Sequence, residues 1–180
     1  MNCQWRPTRF LHSDKIVFVG KASGQQFSWG LYCSKMGDLT IRTFEPSDET
    51  QVIDLWSECD LLVPSNNPKM DIERKLQQHP DLFFVGEVEG KIVSTCMSGY
   101  DGHRGWIYYL AVSPRLRRKG IAESMVRHAE RALKTLGCPK IDLMVRNSNE
   151  GVIAFYHKIG YNDDPVVVLS KRLKEDKPYR

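Results

Sequence analysis

From Leu110 to Ala122 the chain reads Leu-Ala-Val-Ser-Pro-Arg-Leu-Arg-Arg-Lys-Gly-Ile-Ala, and this stretch constrains the fold more than any other. An apolar run, Trp106 to Val112, stops at Ser113 and Pro114. Arg117, Arg118 and Lys119 then lead into Gly120, and a long amphipathic repeat begins. A strand that ends in a loop rich in backbone N–H donors, followed at once by a helix, makes a cradle for an anion. The first turn of the helix has unpaired N–H groups, and its dipole is positive at that end. Gly120 has no Cβ, so a diphosphate can approach its backbone closely.

The helix after Gly120 is well specified. Ile121, Met125, Val126, Ala129, Leu133 and Leu136 recur at helical spacing and should face a core. Glu123 with Arg127, and Glu130 with Lys134, are i,i+4 pairs on the outer face. Gly137 and then Pro139 stop the repeat. The cradle is not a P-loop, because G-x-x-x-x-G-K-S/T is missing, and it is not a dinucleotide fingerprint, because G-x-G-x-x-G is missing. The pattern Arg117-x-x-Gly120-x-Ala122 is short, and a basic helix start on a surface would give the same letters.

A second constellation lies downstream. Lys140 to Val145 reads as a short buried strand. Ser148 or Asn149 can cap a following helix, whose apolar face is Val152, Ile153, Tyr156 and Ile159 and whose end is Gly160. The order is strand, cradle, helix, strand, cap, helix.

With both constellations in view, the chain resembles the GNAT (GCN5-related) N-acetyltransferase family. That family carries Q/R-x-x-G-x-G/A after its fourth strand, and N-x6-Y followed by x-x-x-G-F/Y after its fifth. Arg117, Gly120 and Ala122 match the first pattern; Asn149, Tyr156, Gly160 and Tyr161 match the second. The resemblance spans roughly Leu39 to Leu173. Gly99 to Gly105 and Asp71 to Leu76 look like the family's small bacterial YpeA-type branch.

The resemblance implies an α/β (α+β) fold with a mixed, mostly antiparallel sheet flanked by helices and splayed between strands four and five. It implies acetyl-CoA as cosubstrate. Main-chain groups of Leu110 and Val112 would hold pantetheine, and backbone N–H groups of Arg117, Arg118, Lys119, Gly120, Ile121 and Ala122 would hold the diphosphate. An N–H aimed at the thioester oxygen would be worth roughly 3 kcal/mol, by analogy with other oxyanion donors. Asn149 would bind pantetheine amides or serve only as a helix cap. Tyr156 would be the general acid for the departing thiolate, or a core tyrosine beneath the cofactor. The family's carboxylate base is missing, since Trp106 and Met144 stand in its places by our register. Asp101 and His103, in the loop before the fourth strand, are the nearest replacements, and a solvated loop is the plainer reading of His103. The acceptor is a small-molecule or peptide amine, entering between residues 60–68 and 101–105, where Arg104 could meet a carboxylate. A CoA-binding module of the same fold without turnover is the alternative.

Charge marks a boundary. Residues 1–35 carry five Lys/Arg and one acid, a balance of +4 that equals the whole chain's, so residues 36–180 have no net charge. The basicity therefore gives the domain no nucleic-acid partner. We divide the chain into an N-terminal extension, residues 1–36, and one domain, residues 37–180. Ile16 to Val19 is too short for a signal-peptide core, and no stretch approaches a membrane span. The extension faintly resembles an organelle transit peptide, although an addition outside the domain is the plainer reading. Five scattered cysteines, with no C-x-x-C, fit a reducing cytosol and no metal site. A homodimer is left open.

The remaining pattern predicts a strand at Leu39–Phe44, a helix opened by Pro46, a loop at 60–68 and a short helix marked by Met70, Ile72 and Leu76. A hairpin follows at Leu82–Val88 and Lys91–Tyr100, turning at Glu89 and Gly90, and Val166–Leu173 is expected as a last strand.

Overall fold

The computed structural model describes residues 38–177 and 179. The extension, with Cys3 and Cys33, lies outside them. The described chain runs β1 (Thr40–Thr43), α1 (Glu49–Glu58), α2 (Pro68–Gln77), β2 (Phe83–Val88), β3 (Lys91–Tyr100), β4 (Gly105–Val112), α3 (Ile121–Thr135), β5 (Ile141–Asp142) and α4 (Glu150–Lys158). The sheet order is β1-β2-β3-β4-β5. The first three pairings are antiparallel, and β4 with β5 is parallel.

Both faces of the sheet are covered. On one face α1 and α2 bury Val52, Leu55, Trp56 and Ile72 against Phe44, Phe83, Val85, Met97 and Ala111. The rings of Phe44 and Phe83 stack at 4.5 Å. On the other face α3 presents Met125, Val126, Ala129 and Leu133, all fully buried. Each such burial is worth roughly 1.5–3 kcal/mol for the larger side chains. This is why β3, the central strand, is buried along most of its length. The outer face of α3 differs in detail from the sequence pattern: Arg127 lies between Glu123 at 3.9 Å and Glu130 at 3.0 Å.

The first helical turns are locked to the sheet by charge. Arg42 on β1 donates to both carboxylate oxygens of Asp48, at 2.7 and 2.9 Å, and to Glu87 on β2 at 3.1 Å. Burial raises Asp48, but the hydrogen bonds from Arg42 and the Glu45 N–H, with the charge of Arg42, outweigh it and hold the carboxyl below its usual range.

Three expectations need correction. Leu136, expected to face the core, stands just past the end of α3 and is exposed. The strand predicted over Lys140–Val145 forms only at Ile141–Asp142, because its partner β4 pairs with it at Gly105 and Trp106 and then diverges. Residues 143–145 are left without a ladder. Val166–Leu173 forms no strand, and Val166, Val167, Leu169 and Leu173 are exposed. A β-prone sequence needs a paired neighbour. Here the tail is drawn instead to α2 and the loop before it: Arg172 donates to the Ser65 carbonyl at 3.1 Å, Asn67 donates to the Lys177 carbonyl at 3.0 Å, and Arg74 pairs with Asp176.

Candidate active site

β4 carries a bulge. Thr95 of β3 stands opposite Ala111, yet Met97 stands opposite Tyr108, so Tyr109 and Leu110 together face Cys96. An extra residue in one strand bends it and frees backbone groups from the ladder. Tyr109 has a φ of 45°, a left-handed conformation that costs a bulky residue of order 1–3 kcal/mol. Its surroundings hold it there. The ring stacks on Trp56 at 4.0 Å. Its carbonyl accepts from the Thr95 hydroxyl at 2.8 Å, and the Thr95 hydroxyl oxygen in turn accepts from the Trp56 indole N–H at 2.9 Å. Its phenol donates to the Asp71 carboxylate on α2 at 2.7 Å. Burial and then Asp71 push the Tyr109 phenol well above its ordinary range, so it keeps its proton. Leu110, next along, has no partner on β3.

On its other side β4 is open. Past Trp106 and Asp142 the strands separate, and among the described residues Ile107 to Val112 have no neighbour there. The approach at the closed end depends on Gly105, where a Cβ would sit 2.8 Å from the Cys138 Sγ and 3.1 Å from Leu133 Cδ1. A groove of about 1180 Å3 runs beside β5, bounded in part by Trp106, Leu133, Ile141, Met144, Tyr156 and Tyr161. Tyr156 is buried at its floor, edge-on to Tyr161 at 5.3 Å. Burial first, and then Cys96 and Tyr161, push its phenol up, so it too stays protonated.

Beyond β4 the cradle forms as its sequence indicates. Arg117 Nε donates back to the Val112 carbonyl at 3.2 Å, tying the loop to the strand end. Arg118 and Gly120 both take left-handed φ values, 62° and 81°, and α3 starts immediately after. Among the described residues no protein acceptor meets the backbone N–H groups from Arg117 to Glu123. Among the described residues, a Cβ on Gly120 would meet nothing within 4 Å. A cavity of about 390 Å3 adjoins it, bounded by Gly120, Ser124, Arg127 and Arg131 among others. Arg118, Lys119 and Gly120 are exposed. Free N–H groups in alternating hand at a helix start fit a diphosphate.

The other predicted residues fall elsewhere. The Asn149 side chain caps α4, accepting from the Val152 N–H at 3.4 Å. Asp101 closes the turn before β4: it accepts from the backbone N–H groups of Arg104 at 2.7 Å and His103 at 2.8 Å, and from the Trp106 indole at 3.0 Å. These bonds hold it down at about 2, which makes it a poor proton acceptor at neutral pH. His103 lies in the turn before β4, and from Gly105 to Leu110 the strand alone runs five residues, roughly 16 Å at about 3.3 Å per residue. Arg104 faces Asp142 at 3.6 Å rather than a substrate carboxylate. Thus the structure groups Leu110, Val112 and the cradle, places Tyr156 in the neighbouring groove, and leaves Asp101 and His103 at the far end of β4.

Sequence reasoning missed the group around the bulge. Asp71 and Tyr109 are 38 positions apart, so no local spacing links them. The one visible sign was the pair Tyr108-Tyr109, which breaks the alternation of the strand.

Comparison with known proteins follows the same lines. Residues 49–161 match the family described as Acetyltransferase (GNAT) family. An acetyltransferase of Sodalis glossinidius is 52% identical over 142 residues, covering 78% of this chain and 100% of that protein. One from Pectobacterium atrosepticum is 52% identical over 141 residues, with the same coverage. In fold, the chain is similar to an aminoglycoside N-acetyltransferase solved in complex with CoA (TM-score 0.64, 15% identity, 78% of this chain and 99% of that one). It is also similar to a putative acetyltransferase from Agrobacterium tumefaciens (TM-score 0.63, 19% identity, 74% and 99%).

Proposed function

The chain belongs to the GNAT acetyltransferase family and is an acetyl-CoA-dependent acetyltransferase, and from that premise we propose that it acetylates a primary amine of a small molecule or peptide, with the Leu110 N–H beside the reacting carbonyl. The observation that carries this reading is the bulge. It lifts Leu110 out of the β3 ladder at the open edge of β4, two residues before Val112, whose carbonyl is tied to the cradle by Arg117.

The roles follow from the geometry. Backbone N–H groups of Arg117 to Ala122 bind the diphosphate, while the side chains of Arg118 and Lys119 stay in solvent. The Leu110 and Val112 main chain aligns pantetheine along the free edge of β4. A Leu110 N–H fixed in advance stabilises charge as it develops on the carbonyl oxygen, a contribution of roughly 3 kcal/mol. Tyr156, kept protonated by burial, donates a proton to the departing sulfur. Asn149 caps the helix that carries Tyr156.

The amine must be neutral when it attacks the thioester. At pH 7.4 an α-amine of pKa about 7.7–8.0 is a fifth to a third neutral, and a lysine ε-amine about one part in a thousand. With Trp106 and Met144 in place of strand carboxylates, the site favours the lower-pKa amine. A pH–rate profile with an α-amine peptide and an ε-amine peptide tests this. The α-amine should have the higher kcat/KM near pH 7, and the reverse order would reject it. No helix among the described residues is long and apolar enough to cross a membrane. Cys59, Cys96 and Cys138 are free thiols. A reducing cytoplasm is the compartment we assign.

A further inference from the structure

The face of β4 opposite α3 holds charge that the mechanism above does not use. Asp71 on α2 accepts from the Tyr109 phenol at 2.7 Å, and its other oxygen accepts from Arg74 at 3.1 Å. Arg74 is shared, because Asp176 of the tail also pairs with it. Arg74 thus stands between two carboxylates, and the charge of Arg172 also acts on Asp176. The Asp71 side chain is 20% exposed, enough to leave part of the carboxylate open to a ligand. Tyr109, to which it is bound, is the bulge residue itself and immediately precedes Leu110.

A phenol that donates to a carboxylate can still accept through its own oxygen, which the Asn66 side chain also approaches. Tyr109 and Asp71 therefore present two acceptors side by side, one of them a carboxylate, next to the main-chain group assigned to the thioester. The stacking of Tyr109 on Trp56 and the Thr95 hydrogen bond to its carbonyl hold that arrangement rigid. An ammonium is the group that satisfies such a site. A carboxylate is the group it repels.

We propose that Asp71 and Tyr109 form the anchor for the acceptor's ammonium group, which selects cationic amines without a neighbouring carboxylate, such as a peptide N-terminus, over free amino acids. This rests on the reading that acetyl-CoA lies along the open edge of β4. It supplies from α2 a negative charge in place of the carboxylates missing at Trp106 and Met144.

The test uses two thioether analogues of the cosubstrate, S-propyl-CoA and S-(3-aminopropyl)-CoA, with a five-carbon pair as a second tether length. Each is titrated by calorimetry into wild type, Asp71→Asn, Asp71→Glu and Tyr109→Phe. Wild type should bind the amino analogue at least tenfold more tightly than the neutral one at one of the two lengths. Asp71→Asn should lose that preference while binding S-propyl-CoA as wild type does. Asp71→Glu should keep part of it, and Tyr109→Phe should reduce it. A merely structural role for Asp71 would lower the melting temperature or weaken both analogues together, and that result overturns the anchor. So does equal binding of the two analogues by wild type at both lengths. Failure of wild type to bind S-propyl-CoA would instead overturn the acetyl-CoA reading, and the anchor with it.

Discussion

The Thr95 hydroxyl donates to the main-chain carbonyl of Tyr109 at 2.8 Å, at the point where β3 and β4 fall out of register. The Thr95 hydroxyl oxygen also accepts the Trp56 indole N–H at 2.9 Å, so α1, β3 and the β4 bulge are joined through that one atom. Thr95 is completely buried, and so is Trp56. The bulge is thus fixed from the core outward before any ligand arrives.

Thr95→Val should separate the hydroxyl from the volume it fills. It leaves a buried carbonyl and a buried indole N–H unpaired, a cost of about 1–3 kcal/mol for each group so stranded. Thermal unfolding should show the loss. Because the bulge positions Leu110, kcat should fall while acetyl-CoA affinity, measured by calorimetry, stays within about twofold. An unchanged kcat in a destabilised variant would remove the bulge from the catalytic argument.

Gly120→Leu should weaken acetyl-CoA binding at least tenfold, about 1.4 kcal/mol. A side chain there projects into space that no described residue fills, and a φ of 81° disfavours any residue with a Cβ. Calorimetry on the folded variant decides. Affinity equal to wild type would mean that the diphosphate lies elsewhere.

Lys75 offers a stability test that does not touch the site. It is buried on α2, donates to the Gln78 carbonyl at 2.9 Å, and is pushed down to about 8 by burial. A base with a lowered folded-state pKa destabilises the fold below that value, and the penalty fades as pH rises toward the unfolded value of 10.5. Lys75→Met should therefore stabilise the protein at pH 7 by about 1–3 kcal/mol, allowing for the lost hydrogen bond. The difference should shrink above pH 10. Urea unfolding at pH 7 and pH 10.5 reads it, and a stabilisation independent of pH would show that packing, not charge, is the cause.

A chain shortened to begin at Met36 should bind acetyl-CoA as the full chain does. Relatives whose whole length is matched cover 78% of this chain, and the charge boundary falls at residue 35. A large fall in melting temperature on truncation would show that the first 35 residues support the domain.

How far the sequence could be read depended on how local each cause was. The cradle and α3 depend on contiguous letters: a strand end, a glycine, and Met125, Val126, Ala129 and Leu133 at helical spacing. All of these appear in the structure. The β2–β3 hairpin is equally local. The Val166–Leu173 strand was not decidable in this way, because a strand exists only with a neighbour, and Arg172, Asp176 and Lys177 bind the tail to another part of the molecule. Asp101 looked like a spare carboxylate until its three hydrogen bonds were seen. The Asp71–Tyr109 contact joins two segments through tertiary packing alone, so nothing in either segment foretold it.

The central claim is that this site moves an acetyl group to an amine. Wild-type protein incubated with acetyl-CoA and a panel of a peptide α-amine, a lysine ε-amine peptide, an amino sugar and a polyamine tests it directly, with free CoA thiol and acetylated amine measured together. The account predicts thiol release that depends on the amine, matches the acetylated product mole for mole, is fastest with the peptide α-amine near pH 7, and drops in Tyr156→Phe. Acetyl-CoA binding with no amine-dependent thiol release from any member of the panel would contradict it.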